Sequence, residues 1–235
     1  DLRIRNEVLK IKRSDIVIHL AGKIPSKKNY SENIFFEHNV LATLNILEYC
    51  VKKKIKKMIF VSSYVYGIPN KNPINEKQEV KPHNTYAKSK VLSEELCKIY
   101  AEKYKIQIII LRPFNIFGNL QKDNSLISNI IKSIKNNRSI TIINKNNKRD
   151  FLFIDDLIRA IYFSIIKFKG NSIFNVCTGI GTTLKEVVDI IGVKYLLNRK
   201  KIREPKVVIG NNNKIKKALN WNIKFDVKKG IRKLI

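Results

Sequence analysis

The chain has 235 residues, of which 44% are hydrophobic, and its formal net charge is +28 at pH 7. This length is enough to bury a core, either as one large domain or as one domain with a small lobe. No run approaches the ~18 apolar residues of a membrane-spanning helix. Because Cys50, Cys97 and Cys177 lack metal-ligand spacing, we predict free thiols, no metal site and a cytoplasmic protein.

The 47 lysines and arginines are spread among isoleucine and asparagine along the whole chain. They form no basic stripe interleaved with aromatic residues, which is the pattern typical of proteins that bind single-stranded nucleic acid by stacking. We therefore predict neither a nucleic-acid partner nor a membrane partner. The positive field still favours an anionic ligand such as a nucleotide.

The first half of the chain alternates short apolar runs with amphipathic segments. Residues 15–22 predict a buried strand that ends in glycine, and residues 58–62 and 106–111 predict two more strands. Helices are predicted at about 34–53, where apolar residues share one face, and at about 85–104. The order β-α-β-α-β predicts right-handed crossovers and a parallel sheet.

After residue 112 this rhythm loosens, and we interpret the second half as a smaller lobe interleaved with the sheet. The Gly179-Ile180-Gly181 sequence mimics a phosphate loop, but it lacks a third glycine at the right spacing and is better interpreted as a tight turn. The predicted elements are helix 125–136, strand 140–143, strand 151–154, helix 155–167, strand 173–176 and a helix opened by a capping box at Thr183.

The most informative pattern is the pair Tyr86 and Lys90, because residues four apart on a helix share one face. An ammonium group beside a phenol can lower the phenol's pKa toward the range of a proton-transfer catalyst. Ser62, at the end of the preceding strand, supplies a hydroxyl for the same substrate oxygen. Tyr49 and Lys53 have the same spacing, but they lie at the basic end of an amphipathic helix, which predicts a solvated helix terminus.

Further motifs surround this pair in chain order, and together they resemble the extended short-chain dehydrogenases/reductases, the nucleotide-sugar epimerase/dehydratase family. The resemblance covers essentially the whole chain. The motifs are His19-Leu20-Ala21-Gly22, Asn39, Tyr66-Gly67, Tyr86 to Lys90, Arg112-Pro113-Phe114-Asn115 with Gly118, Arg149-Asp150-Phe151 with Asp155-Asp156, and Leu219-Asn220-Trp221.

The resemblance implies an α/β fold, with a Rossmann-like doubly wound parallel sheet that is truncated at its N-terminus and a smaller C-terminal substrate lobe. Residues 1–120 would form the truncated NAD(P)-binding domain. Residues 121–235 would form mainly the substrate-binding lobe, with about 139–178 returning to the first domain. The implied assembly is a homodimer through helices 34–53 and 85–104.

The resemblance also implies a role for each site residue. Tyr86 would be the acid/base on the sugar 4-hydroxyl, Lys90 would lower its pKa and hold the nicotinamide ribose, and Ser62 would share the hydrogen bond to the 4-oxygen. Ser63 is the less favoured candidate for that bond. The residues implied to line the NAD cofactor are Asp1, Leu2, Leu20, Ala21, Gly22, Lys23, Asn39, Tyr86, Lys90 and Phe114.

The implied partner is a nucleotide-diphosphate sugar. The residues implied to hold it are Ser62, Asn115, Leu126, Arg149 and Arg203. Arg149 suits the diphosphate because a guanidinium group binds phosphate bidentately. Arg203 fits less well, since the Gly-Asp that the family carries after it is replaced here by Glu204-Pro205-Lys206.

Two departures from the family pattern bear on the function. Dehydratases of the family use an acidic pair directly after the Ser/Thr position, but Ser63 and Tyr64 carry no carboxylate, which disfavours dehydration. The 235 residues also contain no G-x-x-G-x-x-G loop. The resemblance therefore implies that roughly 50–60 further residues, about one βαβ unit, belong before Asp1.

Three hypotheses remain open. The first is an NAD-dependent nucleotide-sugar 4-epimerase that works through a transient 4-keto sugar. The second is a reductase of 4-keto-6-deoxy nucleotide sugars that uses NAD or NADP. The third is a non-catalytic fragment of such an enzyme.

Overall fold

A parallel sheet runs through the N-terminal half of the chain in the computed structural model, which describes residues 1–26, 31–121, 126–136, 139–198 and 204–234. The chain divides into two units. The first consists of Asp1–Gly67, Glu79–Arg112 and Phe163–Phe174, and the second of Ile68–Gln78, Pro113–Tyr162 and Asn175–Ile235. The predicted domain boundary at residue 120 and the returning segment 139–178 stay predictions.

In the first unit, short apolar strands alternate with helices, as the hydrophobic pattern predicts. Its elements are α1 (Arg5–Leu9), β1 (Ile16–His19), α2 (Asn33–Phe35), a π-helical segment (Phe36–Leu41), α3 (Ala42–Lys52), β2 (Lys57–Val61), α4 (Thr85–Tyr104) and β3 (Gln107–Pro113).

Strands β1, β2 and β3 pair in parallel, so that Ile16 lies beside Lys57 and Lys57 lies beside Gln107. Each pair needs a crossover connection, which the intervening helices supply. A fourth strand, β8 (Ser172–Val176), completes the sheet in the order β1-β2-β3-β8. The predicted Rossmann-like α/β fold is confirmed.

The core of the first unit lies between this sheet and the helices. Leu47 and Cys50 of α3 are fully buried in one cluster with Met58 and Phe60 of β2. Full burial of a large apolar side chain stabilises the fold by roughly 1.5–3 kcal/mol. The apolar face that the sequence predicts for helix 34–53 therefore fixes α3 against β2.

Helix α4 carries the Tyr86–Lys90 pair, and its two ends are set by local interactions. The side chain of Asn84 accepts a hydrogen bond from the backbone N–H of Ala87, which caps the first turn. The helix ends at Lys105, whose left-handed backbone (φ +55°) stops the helical hydrogen bonding. The predicted helix 85–104 is confirmed with its bounds.

The second unit contains short strands and several helices. It is held by a core cluster that includes Phe117, Ile130, Phe153 and Val187. Its elements are β4 (Asn115–Phe117), α5 (Leu126–Lys135), β5 (Ile140–Ile142), β6 (Lys148–Arg149), β7 (Phe151–Phe153), α6 (Ile154–Lys167), β9 (Thr182–Thr183), α7 (Leu184–Ile191), β10 (Tyr195–Leu197), β11 (Val207–Val208), α8 (Asn213–Leu219) and α9 (Val227–Arg232), with α6 and β8 each running partly in both units.

Small ladders connect these strands. Strand β4 pairs in parallel with β7, β5 with β10, and β6 with β11, while β9 pairs with β6 in the antiparallel sense. The predicted capping box is present, because Thr183 and Glu186 exchange side-chain and backbone hydrogen bonds at the start of α7. Among the residues that the structure describes, no helix is long and apolar enough to cross a membrane.

Candidate active site

Tyr86 lies in the first turn of α4, half-buried, with Lys90 one turn further along the helix. Its ring packs edge-on against Phe35, with the ring centroids 6.0 Å apart. The side chain of Ser63, two residues beyond the end of β2, is a polar neighbour of its hydroxyl. Burial raises the pKa of Tyr86 above its ordinary value, and the interaction with Ser63 offsets only part of that rise.

The ammonium group of Lys90 is buried against the end of β2. Its Nζ donates a hydrogen bond to the carbonyl of Val61 at 2.8 Å and lies 4.3 Å from the centroid of the Phe60 ring. Burial lowers the pKa of Lys90 to about 8, and nearby negative charge, including that of Glu94, opposes this shift. Such a shift is typical of lysines in functional sites, although buried structural lysines also show it.

The direction of the pKa shift at Tyr86 differs from the predicted one. The sequence predicts that Lys90 lowers the pKa of Tyr86, but the pKa of Tyr86 is raised by burial. The physical reason is that the phenol is desolvated while the ammonium group is directed at the carbonyl of Val61.

The two neighbouring serines at the end of β2 have different environments. The hydroxyl of Ser62 is buried and donates a hydrogen bond to Oε1 of Glu94 at 2.5 Å. Ser63, in contrast, is a polar neighbour of the Tyr86 side chain and lowers the pKa of its phenol. Both serines lie near the predicted acid/base residue, and the substrate role predicted for Ser62 stays a prediction.

A buried ion pair joins α4 to β3 beside these serines. Arg112 Nη2 lies 2.5 Å from Oε2 of Glu94, and Arg112 Nε donates to both carboxylate oxygens at 3.0 and 3.2 Å. Arg112 Nη1 donates to the hydroxyl of Tyr66 at 2.9 Å. With the bond from Ser62, this bidentate pair is satisfied by hydrogen bonds, which offsets the cost of burying two charges.

The segment that follows β1 has the features of a ligand-binding loop. Leu20, Ala21 and Gly22 are exposed at the carboxyl end of a parallel strand, where open α/β sheets bind ligands. The side chain of Asn39 holds the next residue, Lys23, by its N–H at 2.6 Å and by its carbonyl at 3.1 Å. A Cβ at Gly22 would lie 2.9 Å from Asn39 Oδ1, so this close approach requires glycine. The loop fits the lining of a nucleotide cofactor.

Asn39 lies in the π-helical segment and is buried. Its Nδ2 also donates to Ser89 Oγ at 2.8 Å, and its carbonyl accepts from the hydroxyls of Thr43 and Ser93 at 2.6 and 3.1 Å. Short π-helical segments are frequent at functional sites. Asn39 connects the loop after β1 to α4, which indicates that it positions the loop.

The other residues predicted to line the cofactor have mixed surroundings. Asp1 accepts hydrogen bonds from Arg3, and Leu2 packs partly buried against the core of the first unit. Phe114 is buried in the second unit, where its N–H donates to the carbonyl of Val176 at 3.0 Å. Contact of these three residues with a cofactor stays a prediction.

The second unit contains a pocket of about 320 Å³ that brings together two of the predicted substrate residues, Asn115 and Arg149. Aromatic side chains, including Phe117 and Phe151, form its apolar wall. Arg149 Nη2 lies 2.7 Å from Oε2 of Glu204, which also lines the pocket. An apolar wall with a guanidinium group is suited to a base and its phosphates.

For two of the predicted substrate residues, the structure describes no side chain that could be placed in the pocket. Arg203 lies outside the residues that the structure describes, and Leu126 begins α5 but its side chain is not among those described.

Sequence reasoning missed two acidic residues of these sites. Glu94 follows Lys90 by four residues, so helical spacing alone places it on the same face as the Tyr86–Lys90 pair. The sequence marks Glu204 only as a departure from the family pattern, and no local signal reports its contact with Arg149, 55 residues away.

Replacement of Glu94 by Gln is expected to lower the free energy of unfolding by about 3–5 kcal/mol, because it leaves the buried Arg112 guanidinium without a counter-charge. The matched control is Glu95→Gln, since Glu95 is exposed and forms a surface ion pair with Lys98. That substitution should change the free energy of unfolding by no more than about 0.5 kcal/mol. Urea denaturation of the two variants measures the difference, and equal losses would contradict the ion pair's role.

Replacement of Lys90 by Met is expected to stabilise the protein most at neutral pH. The folded-state pKa of about 8 lies below the ordinary 10.5, so the folded chain binds fewer protons between these values. The stability of the native protein therefore rises with pH in this window, and the full cost of the buried charge applies below pH 8. The advantage of Lys90→Met should shrink by about 3 kcal/mol between pH 7 and 10.5.

The control for this pH dependence is Lys88→Met, which removes an exposed lysine from the same helix. Urea denaturation at several pH values should show no trend for that variant. A pH-independent difference between the native chain and Lys90→Met would mean that Lys90 is not a strained buried charge.

Comparison with known proteins places this chain in a family. Residues 1–177 match the model of the NAD dependent epimerase/dehydratase family. A putative UDP-glucose 4-epimerase of Methanocaldococcus jannaschii is 35% identical, over 98% of this chain and 79% of that protein. A dTDP-D-glucose 4,6-dehydratase of Dictyostelium discoideum is also 35% identical, over 76% of this chain and 44% of that protein.

Solved structures agree with the fold. A UDP-glucose 4-epimerase of Thermus thermophilus, in complex with NAD, superposes with a TM-score of 0.87 at 25% identity, over 99% of this chain and 81% of that one. The chain therefore belongs to the NAD-dependent epimerase/dehydratase family, within the extended short-chain dehydrogenases/reductases.

Proposed function

We propose that the chain carries the acid/base half of an NAD-dependent nucleotide-sugar 4-epimerase. The observation that supports this most directly is the half-buried phenol of Tyr86, which has Ser63 as a polar neighbour and lies one helical turn from the buried ammonium group of Lys90. The similarity to 4-epimerases over nearly the whole chain agrees with it. The same three groups suit reversible removal of a proton from a sugar hydroxyl.

In the proposed reaction, the phenolate of Tyr86 takes the proton of the sugar 4-hydroxyl while a hydride leaves C4. The nicotinamide of the cofactor, when bound, supplies the hydride acceptor. Ser63 donates a hydrogen bond to the sugar 4-oxygen and holds it beside the phenol. After the 4-keto sugar turns over, Tyr86 returns the proton to the oxygen as the hydride returns to the other face of C4.

The raised pKa of Tyr86 has a consequence for this cycle. At neutral pH the phenol is protonated, which is the form that donates to the 4-keto oxygen. Forming the phenolate requires a nearby positive charge, and the Lys90 ammonium group, one turn away, is the group we assign to that role. Burial of both groups strengthens their interaction relative to that in water.

Dehydration is not part of the proposal, although one similar protein is a dehydratase. Elimination of water needs an acid and a base beyond the Tyr86 phenol. Ser63 and Tyr64, which follow Ser62, carry no carboxylate, and the Tyr64 hydroxyl donates to the carbonyl of Gly67 at 2.6 Å. We therefore assign epimerisation.

For ligands, we propose a nucleotide-diphosphate sugar and NAD, with NADP as the alternative cofactor. Arg149 and Asn115 would hold the diphosphate side, and Asn115 is well positioned because its side chain donates to the carbonyl of Asp150 at 3.0 Å. Leu20, Ala21 and Gly22 would line the cofactor.

Replacement of Tyr86 by Phe in the NAD-loaded enzyme is expected to lower turnover of a UDP-sugar by two to four orders of magnitude, because the proton acceptor is lost. Ser63→Ala should lower kcat roughly 100-fold, as for loss of one hydrogen-bond donor to a developing charge. Ser62→Ala should act mainly on stability, since its hydroxyl binds Glu94. The measurements are 4-epimer interconversion by NMR and thermal unfolding.

The outcomes separate the hypotheses. Near-normal turnover of Tyr86→Phe would remove Tyr86 from the mechanism, and a loss larger for Ser62→Ala than for Ser63→Ala would restore Ser62 as the substrate contact. Net consumption of reduced cofactor would identify a reductase. Failure to bind NAD or NADP in calorimetry would identify a non-catalytic fragment.

We also propose a homodimer formed through α3, the π-helical segment and α4, in the cytoplasm. The support is a set of exposed apolar side chains on these helices, including Phe36, Leu41, Leu92 and Ile99. A protein that keeps its free cysteines buried and reduced suits that compartment.

Replacement of Ile99 by Glu is expected to shift the protein from dimer to monomer in light scattering, because it places a charge within the apolar contact. The matched control is Ile158→Glu on α6, since both isoleucines are 55% exposed. A dimer that survives Ile99→Glu at micromolar concentration would exclude this face.

A further inference from the structure

The guanidinium group of Arg149 already binds an anion from its own chain. Arg149 Nη2 lies 2.7 Å from Oε2 of Glu204, and Arg149 Nη1 donates to the carbonyl of Lys148 at 3.0 Å. Both charged groups line the 320 Å³ pocket. The Arg149 side chain is only 14% exposed, whereas that of Glu204 is 33% exposed. The anion-binding group of the pocket is thus the more shielded of the two, and its carboxylate partner can reach solvent.

Two further donors hold the carboxylate of Glu204 in this position. Oε1 accepts hydrogen bonds from the side-chain amides of Asn144 at 2.9 Å and Asn147 at 2.7 Å. These asparagines belong to one turn, in which the N–H of Asn147 donates to the carbonyl of Asn144 at 2.8 Å. Three side-chain donors around two oxygens are the kind of set that a phosphate group also accepts.

We propose that Glu204 is an internal competitor for the diphosphate site: its carboxylate occupies Arg149 in the unliganded protein, and the diphosphate of the nucleotide sugar displaces it. This inference rests on the proposed function for the identity of the ligand. In this role Glu204 lowers the affinity of the site for anions and favours ligands that carry more than one negative charge.

The selectivity follows from the charges exchanged. A carboxylate carries one negative charge, so a singly charged ligand that replaces it gains little from Arg149. A diphosphate carries at least two, and it gains additional attraction from the guanidinium group and from the basic protein, whose net charge is +28. The displaced Glu204 loses little, because it is already one-third exposed and is hydrated once it leaves the pocket.

The alternative role for Glu204 is to position Arg149 for the ligand. The two roles predict opposite effects of Glu204→Gln, which keeps the shape and the acceptor for Asn144 and Asn147 but removes the charge. If Glu204 competes, the variant binds the anion more tightly. If it positions the guanidinium group, the variant binds the anion more weakly.

The experiment is calorimetric titration of the native chain and Glu204→Gln with UDP and with inorganic pyrophosphate. We expect Glu204→Gln to bind both anions roughly tenfold more tightly. The charge control is Asp189→Asn, which removes one negative charge from the exposed pair with Lys185 on α7 and should change either affinity less than twofold. In a background that carries Arg149→Gln, the gain from Glu204→Gln should disappear.

Unchanged or weaker pyrophosphate binding by Glu204→Gln overturns the proposal, as does an equal gain in Asp189→Asn or the absence of anion binding in both the native chain and the variant. Glu204→Ala repeats the test if the Gln variant unfolds, which its melting temperature reports. If Glu204→Gln binds pyrophosphate more tightly than the native chain does, but binds UDP no more tightly than pyrophosphate, the competitor role is supported and the proposed nucleotide function is contradicted.

Discussion

The buried ion pair between Glu94 and Arg112 is the interaction on which the geometry of the candidate active site depends. Lys90 precedes Glu94 by one helical turn, and Tyr86 precedes Lys90 by another, so the three side chains lie on one face of α4. Anchoring Glu94 to β3 therefore fixes the rotation of α4 about its axis, and with it the direction of Tyr86. The same carboxylate accepts the hydroxyl of Ser62, which fixes the end of β2 from which Ser63 reaches the phenol.

This arrangement carries an energetic cost that the core has to offset. Lys90 is buried as a cation whose pKa has fallen to about 8, and its main polar partner is the carbonyl of Val61. An apolar residue of similar length would fit the same space without the desolvation. A buried cation that costs stability, one helical turn from a half-buried phenol, is the kind of group that functional sites contain. Burial of the apolar cluster that contains Leu47 and Phe60 offsets this cost.

The sequence predicted the sheet and helix α4 well, because these elements are determined by local features such as helix caps and apolar runs. Helix α4 has an Asn cap and the parallel strands are apolar runs, and both were predicted nearly to the residue. In the second unit β5 and β7 were predicted as apolar runs, but β4, β6, β9, β10 and β11 were missed, since strands of two or three residues are too short to show a period. The roles of Ser62 and Ser63 could not be separated, because adjacent residues on a strand end point to different sides and only the partners, Glu94 and Tyr86, tell them apart.

The long-range partners of carboxylates could not be predicted for the same reason, and the second unit contains two carboxylates, those of Asp150 and Glu204, whose surroundings differ. The carboxylate of Asp150 accepts hydrogen bonds from the N–H groups of Thr178, Gly179 and Gly210, and from the Thr178 hydroxyl. The glycine-rich turn that mimics a phosphate loop thus binds the protein's own carboxylate. Asp150 is fully buried.

The same chemistry has a different consequence at Arg149. Removing Asp150 from its turn would leave the buried backbone N–H groups of Thr178 and Gly210 unsatisfied, so that carboxylate is a permanent part of the fold. Glu204 is held by the side chains of Asn144, Asn147 and Arg149 and not by backbone N–H groups, and it is one-third exposed. An incoming diphosphate can replace its contacts without leaving a buried polar group unpaired. A ligand anion can therefore replace the protein's own carboxylate at Arg149, but not at the turn that contains Gly179.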